Sequence, residues 1–140
     1  MALFLIYGVN RAHRQGLEET KFSKEDWCNL LSISHRYECE GARERSIKEI
    51  KKLDPPIDNI DKITMAGKFG VEEWLLPAYV ALVERVDPLT YAEAGKLGLD
   101  MTVLVSEARE IYIQQQRGYN TYGRPSRDTT QLVKDILHIK

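Results

Sequence analysis

Reactive residues are scarce in this chain of 140 residues. Its only cysteines are Cys28 and Cys39, and its only histidines, His13, His35 and His138, are set far apart. A small disulfide-stapled fold carries more cysteines, so two buried free thiols are expected. No HExxH, CxxC or other Cys/His ligand spacing occurs, and no metal site is expected. A phosphate-cradling glycine loop and a GxSxG nucleophile turn are also missing. Charge of one sign is lacking too: 20 basic residues nearly cancel 21 acidic ones, for a net charge of −1. That balance disfavours nucleic acid and anionic membrane as partners. No run reaches the roughly 18 apolar residues of a membrane span. The opening MALFLIY is apolar, but it lacks a basic leader and is soon interrupted by Gly8 and Asn10, so it does not read as a signal peptide. Together these absences suggest an intracellular protein of cytoplasm or nucleus, with no cofactor and no small-molecule substrate.

What the chain does have is helical patterning. Lys68 to Glu84 reads KFGVEEWLLPAYVALVE. An apolar helix ends at Phe69, Gly70 supplies a stop with positive φ, and a second helix begins near Glu72 and Glu73. That second helix is apolar on most of its faces, so it must be buried among other helices. Pro77 falls inside it, which predicts either a kink or a short turn at Trp74–Leu76 followed by a restart.

The remaining helices follow from caps and spacing. Ser23 opens one, with Asp26 as an acidic capping-box partner and Trp27, Leu30, Leu31 and Ser34 on one face. A second covers roughly 39–53, with Ala42, Ser46, Ile47 and Ile50 facing inward and a charged outer face. Asp54-Pro55-Pro56 stops it and is expected to start the next, proline being tolerated at a first helical position. Ile60, Ile63 and Phe69 carry that helix's apolar side. Thr90 and Glu93 form a full capping box for a short helix ending at Gly95 or Gly98. Asp100 is expected to cap the following one, whose stripe is Met101, Leu104, Val105, Ala108, Ile111 and Tyr112, with Gly118 as its stop. Residues 118–128 shift in composition and read as a linker. Thr129 or Thr130 then caps a last helix too short to be stable unless it docks.

The pattern offers little chemistry. His35 and Cys39 stand four apart and would share a helix face as metal ligands, or as a nucleophile and its base, if one helix ran through both; a break at Tyr37–Glu38 is expected to separate them. The acid pairs Glu18/Glu19, Glu25/Asp26 and Glu72/Glu73 sit near helix starts, where carboxylates favour the dipole without any catalytic role. Trp27 and Trp74 lie on apolar stripes and read as core anchors. Residues 117–127 interleave arginine with tyrosine, a mixture that can grip single-stranded nucleic acid. The plainer reading of the same letters is a solvated linker.

One resemblance gathers these elements. LFLIY (3–7), FSKEDWCNLLSISHRYECEGARERSIKEI (22–50) and KITMAGKFGVEEWLLPAYVALVERVDPLTYAEAGKLGL (62–99) look like the back part of fungal BTB/POZ-domain proteins and their helical, BACK-like extension. Glu25, Trp27, Leu30, Leu31, Arg43, Ile63, Ala66, Phe69, Val71, Trp74, Leu75, Ala78, Tyr79, Pro88, Leu89, Thr90, Glu93, Leu97 and Gly98 carry it, and SEARE (106–110) is similar as well. The family's N-terminal strands have no counterpart here, which puts its usual homodimer in doubt. The resemblance implies a protein-binding role, through self-association or an adaptor surface such as those for cullin-type ubiquitin ligases. The resulting expectation is an all-α protein of six to seven helices in stacked hairpins, with no sheet. Its parts would be residues 1–56 (the BTB/POZ-like helical part), 57–117 (the extension), 118–128 (linker) and 129–140 (a short C-terminal helix). It would be no enzyme, with no catalytic, cofactor or metal residues. The alternative is a nucleic-acid-associated regulator acting through 117–127.

Overall fold

A computed structural model of the chain describes residues 21–118 and 128–140. Among them are seven α-helices, one short 3-10 turn and no strand. The expected all-α architecture is therefore present. The chain divides into two compact units, residues 1–56 and 57–140.

In the first unit, α1 (Lys24–Arg36) packs against α2 (Glu40–Lys51). Ser23 and Asp26 close the capping box at the head of α1, each accepting the other's backbone N–H. Leu30, Leu31, Ala42 and Ile50 are buried together with Ser34 and Ser46. Both serine hydroxyls donate to carbonyls one turn back, Leu31 O and Ala42 O, so each small side chain is buried without an unmet donor. Between the helices Glu38 takes a positive φ of 54° and Cys39 starts α2. Trp27 is half-buried and its ring lies 4.8 Å from that of Phe22.

The second unit holds α3 (Asn59–Phe69), the 3-10 turn Glu72–Trp74, α4 (Leu75–Glu84), α5 (Tyr91–Leu97), α6 (Leu99–Gln116) and α7 (Thr129–Leu137). Its centre is α4, which packs against α3, α6 and α7. Ile60, Ile63, Ala78, Tyr79, Leu82, Val83, Val105, Ala108, Val133 and Leu137 form the core. Burial on three sides explains why α4 needs apolar residues nearly all round. The last helix docks, with Leu132, Val133 and Leu137 buried, which is how so short a helix is held.

Three helix starts differ from the sequence expectation. α3 starts at Asn59, because the Asp58 carboxylate accepts the Ile60 N–H at 3.0 Å; a side-chain acceptor there outweighs proline's fixed φ at residues 55–56. α6 starts from Gly98, whose φ of 84° both ends α5 and begins α6, and Asp100 lies inside the first turn. α7 has Asp128 at its N-cap, one residue before Thr129. Pro77 resolves as a turn and a restart: the 3-10 turn ends at Trp74, and Pro77 is third in α4, where its missing N–H breaks no helical bond. Gly70 ends α3 in the left-handed conformation, as expected.

Candidate functional site

The loop of residues 85–90 joins α4 to α5, and two arginines fasten it. α4 ends with carbonyls that have no helical partner. Arg109, from the middle of α6, reaches them: Nη1 donates to Leu82 O and, at 2.9 Å, to Arg85 O, and Nη2 donates to Val86 O at 3.3 Å. The residue is only 7% exposed. Its positive charge sits at the negative end of the α4 dipole, where a cation is favoured. Burial and then the nearby Arg85 push its pKa down, offset by Asp87 and Glu93. A guanidinium remains charged throughout the physiological range all the same.

Arg85 holds the other side of the loop. Its Nη1 meets Glu93 Oε1 at 2.9 Å and its Nη2 meets Glu93 Oε2, giving a two-pronged ion pair. Its Nε donates to Asp87 O at 3.0 Å and its Nη2 to Pro88 O at 3.1 Å. Glu93 thus has two tasks, since Oε2 also accepts the Thr90 N–H at 2.8 Å in the α5 capping box. The Arg85 hydrogen bonds, then the Thr90 N–H, hold its pKa at about 2. A carboxylate so acidic, already matched by an arginine, is no proton shuttle near neutral pH. The cluster fixes the loop.

The fastened loop forms one bank of a groove of about 600 Å³. Val86, Pro88, Leu89 and Tyr91 stand on that side. Ser106, Glu110, Ile113 and Arg117 of α6 stand on the other, with Arg109 between them. Tyr91 is 96% exposed and Val86 nearly as much.

The residues weighed for chemistry from sequence are scattered. His35 lies in the last turn of α1 and Cys39 at the head of α2, so the two do not share a helix. Asp26 is occupied as a cap, and Glu72 and Glu73 are exposed on the 3-10 turn. Trp74 is buried as a core anchor, and its Nε1–H has no hydrogen-bond partner. His138 ends α7 with φ 56°. Among the described residues no group of three or more His, Cys, Asp or Glu could hold a metal ion, and no helix is long and apolar enough to cross a membrane. His13, Glu18, Glu19, the LFLIY segment and most of the Arg/Tyr-rich 117–127 segment lie outside the described residues; of the latter, Arg117 is described and borders the groove. Sequence reasoning missed Arg109 and Arg85. Arg109 did leave a signal, an arginine next to Ala108 and four residues after Val105, at the edge of an apolar stripe.

With that geometry in view, comparison with known proteins adds no relative: no family model, no curated protein and no solved structure matches the chain.

Proposed function

We propose that this chain is a non-catalytic protein-interaction module, akin to the helical part of fungal BTB/POZ proteins, and that the groove beside α6 is its contact surface. The observation that carries this reading is the contrast within the groove. Its one buried arginine, Arg109, is spent on holding the 85–90 loop, as is the Arg85–Glu93 ion pair beside the groove. The side chains left facing solvent, Val86 and Tyr91 above all, suit contact with another protein. Arg117 and Glu110 at the edge supply the polar rim such surfaces carry.

A pull-down from cell extract tests the reading when wild type is compared with a Val86→Glu/Tyr91→Glu variant. Retention of a defined protein by wild type, and its loss from a variant that melts at the same temperature, supports it. Equal retention by both refutes the groove as contact surface. A gel shift with single-stranded RNA separates the alternative: salt-sensitive binding lost on replacing Arg117, Arg124 and Arg127 by glutamine would favour a nucleic-acid role.

A further inference from the structure

We propose that α5 is a hinged strap. It swings away from the rest of the 57–140 unit while the other helices stay folded, ionic strength sets how often it does so, and its closure completes one bank of the groove.

Burial sets α5 apart. Each of the other six described α-helices buries at least three residues, and α5 buries none. Its seven residues are too few to stay helical alone, so contacts with its neighbours α3 and α6 must hold it. The apolar hold is slight: Leu89 just ahead of the helix and Leu97 at its end are half-buried against the core. The rest is polar. Glu93 pairs with Arg85 at the end of α4, and Lys96 Nζ meets Asp61 Oδ1 of α3 at 3.0 Å. The second pair is open to solvent, its side chains 56% and 41% exposed. The Thr102 hydroxyl of α6 lies 3.3 Å from Ala94 O, yet its closer acceptor, at 2.7 Å, is Gly98 O one turn back. Losing α5 therefore costs Thr102 little. Ion pairs at the surface are worth little each and weaken as salt rises. An element with few buried apolar contacts opens at a lower free energy than the core does.

The backbone supplies the joints. The arginine pins reach the carbonyls of Val86, Asp87 and Pro88, so they stay in place when the chain after Pro88 moves. At the other end Gly98 joins α5 to α6 with φ 84°, a region that glycine enters and leaves without steric penalty. The strap is also weakened from within. Gly95 is an exposed residue inside α5, where glycine supports a helix about fivefold less well than alanine. A Cβ there would meet nothing within 4 Å, so packing does not demand the glycine. Opening carries Tyr91 and Ala94 away from the groove they line, and the groove is complete only with α5 closed.

Native-state amide hydrogen exchange on the full chain, read by NMR, tests this. The reporters are the amides of Ala94, Lys96, Leu97 and Gly98, compared with those of Leu82 and Val83 in α4. Corrected for intrinsic rates, the α5 amides are expected to exchange at least about a hundredfold faster. Raising KCl from about 20 mM to about 1 M is expected to speed α5 exchange about threefold or more in wild type, and not in a Glu93→Gln/Lys96→Gln variant. Gly95→Ala is expected to slow α5 exchange about fivefold. Gly67→Ala is the control. Gly67 is likewise exposed with nothing within 4 Å, but it belongs to α3, which stays folded when the strap opens. This variant should leave α5 exchange unchanged. Protection of α5 equal to that of α4 overturns the proposal. Equal slowing of α5 by both alanine variants also overturns it, because α5 would then come free only when the whole unit unfolds. Exchange of α5 that ignores salt overturns its ionic control.

Discussion

Helices α4 and α6 use apolar residues for different ends. α4 is apolar nearly all round and every apolar side is covered, with Ala78, Tyr79, Leu82 and Val83 buried and Leu75, Leu76 and Val80 packed at the edges of the core. α6 is apolar on two opposite sides and covered on one. Val105 and Ala108 are fully buried, whereas Leu99, Val103 and Ile113 face solvent. The same residue types therefore serve a core in one helix and an open surface in the other. What separates them is how far their neighbours cover them: α4 packs against α3, α6 and α7 with its apolar residues buried or half-buried, and α6 packs against α4, α5 and α7 yet leaves Leu99, Val103 and Ile113 exposed.

The sharpest way to break this comparison is Val105→Asp. Val105 is 0% exposed and lies in the core with Ala78 and Leu82. A carboxylate there has no partner, and the loss should be at least about 4 kcal/mol, enough to unfold the 57–140 unit. Urea melts followed by circular dichroism measure it. A variant that melts like wild type would mean that the inner face of α6 is not where the core sits.

Arg109→Met comes second. Methionine keeps much of the arginine stem and removes the donors. The carbonyls of Leu82, Arg85 and Val86 then lose their shared partner, which should cost about 2–3 kcal/mol. Arg109→Lys should recover part of this, since a lysine supplies the charge without the planar fork. If Arg109→Met is neutral, the end of α4 is solvated and the groove bank is not anchored by α6.

The sequence made the repetitive parts of this design legible and left the long-range parts hidden. Ser23 with Asp26, Thr90 with Glu93, and Gly70 as a stop are local devices, decided within four residues, and all three are present. Burial of Trp74, Tyr79 and Val105 followed from periodicity alone. The starts at Asp58, Gly98 and Asp128 were missed because several cappers stood within a few residues of one another and local preference could not choose between them. Arg109 was hidden for a different reason. Its acceptors lie 23 to 27 residues earlier in the chain, and nothing near Arg109 says that a helix end will arrive there. The groove inherits that blindness, because its far bank exists only once Arg109 and Arg85 have pinned the loop.

Glu93→Gln probes the second pin with a smaller effect. The pair with Arg85 is partly exposed, so its loss should cost about 1 kcal/mol at neutral pH. The pH dependence is more diagnostic. The folded pKa of Glu93 is about 2 against an ordinary value of 4.5. The unfolded chain therefore binds the proton first as pH falls. The contribution of Glu93 is complete above about pH 4.5 and fades as pH drops toward 2. Wild type should lose more stability across that window than Glu93→Gln does, and parallel acid melts for the two would show that Glu93 is not held by Arg85.

Val103→Glu should have the smallest effect on stability, and it sharpens the comparison most. Val103 and Val105 are the same residue two positions apart on one helix, 56% and 0% exposed. Glutamate has the better helix propensity, a gain of a few tenths of a kcal/mol. Against that stands repulsion from Glu107 four residues on, a loss of similar size. The two nearly cancel, and the melting temperature should stay within the shift that about 0.5 kcal/mol produces. Exposure alone then explains why one valine is indispensable and the other dispensable to folding. A loss above about 1 kcal/mol would mean that the outer face of α6 is covered within the folded chain itself. In that case α6 is a second α4, buried on both sides, and no apolar surface is left for a partner.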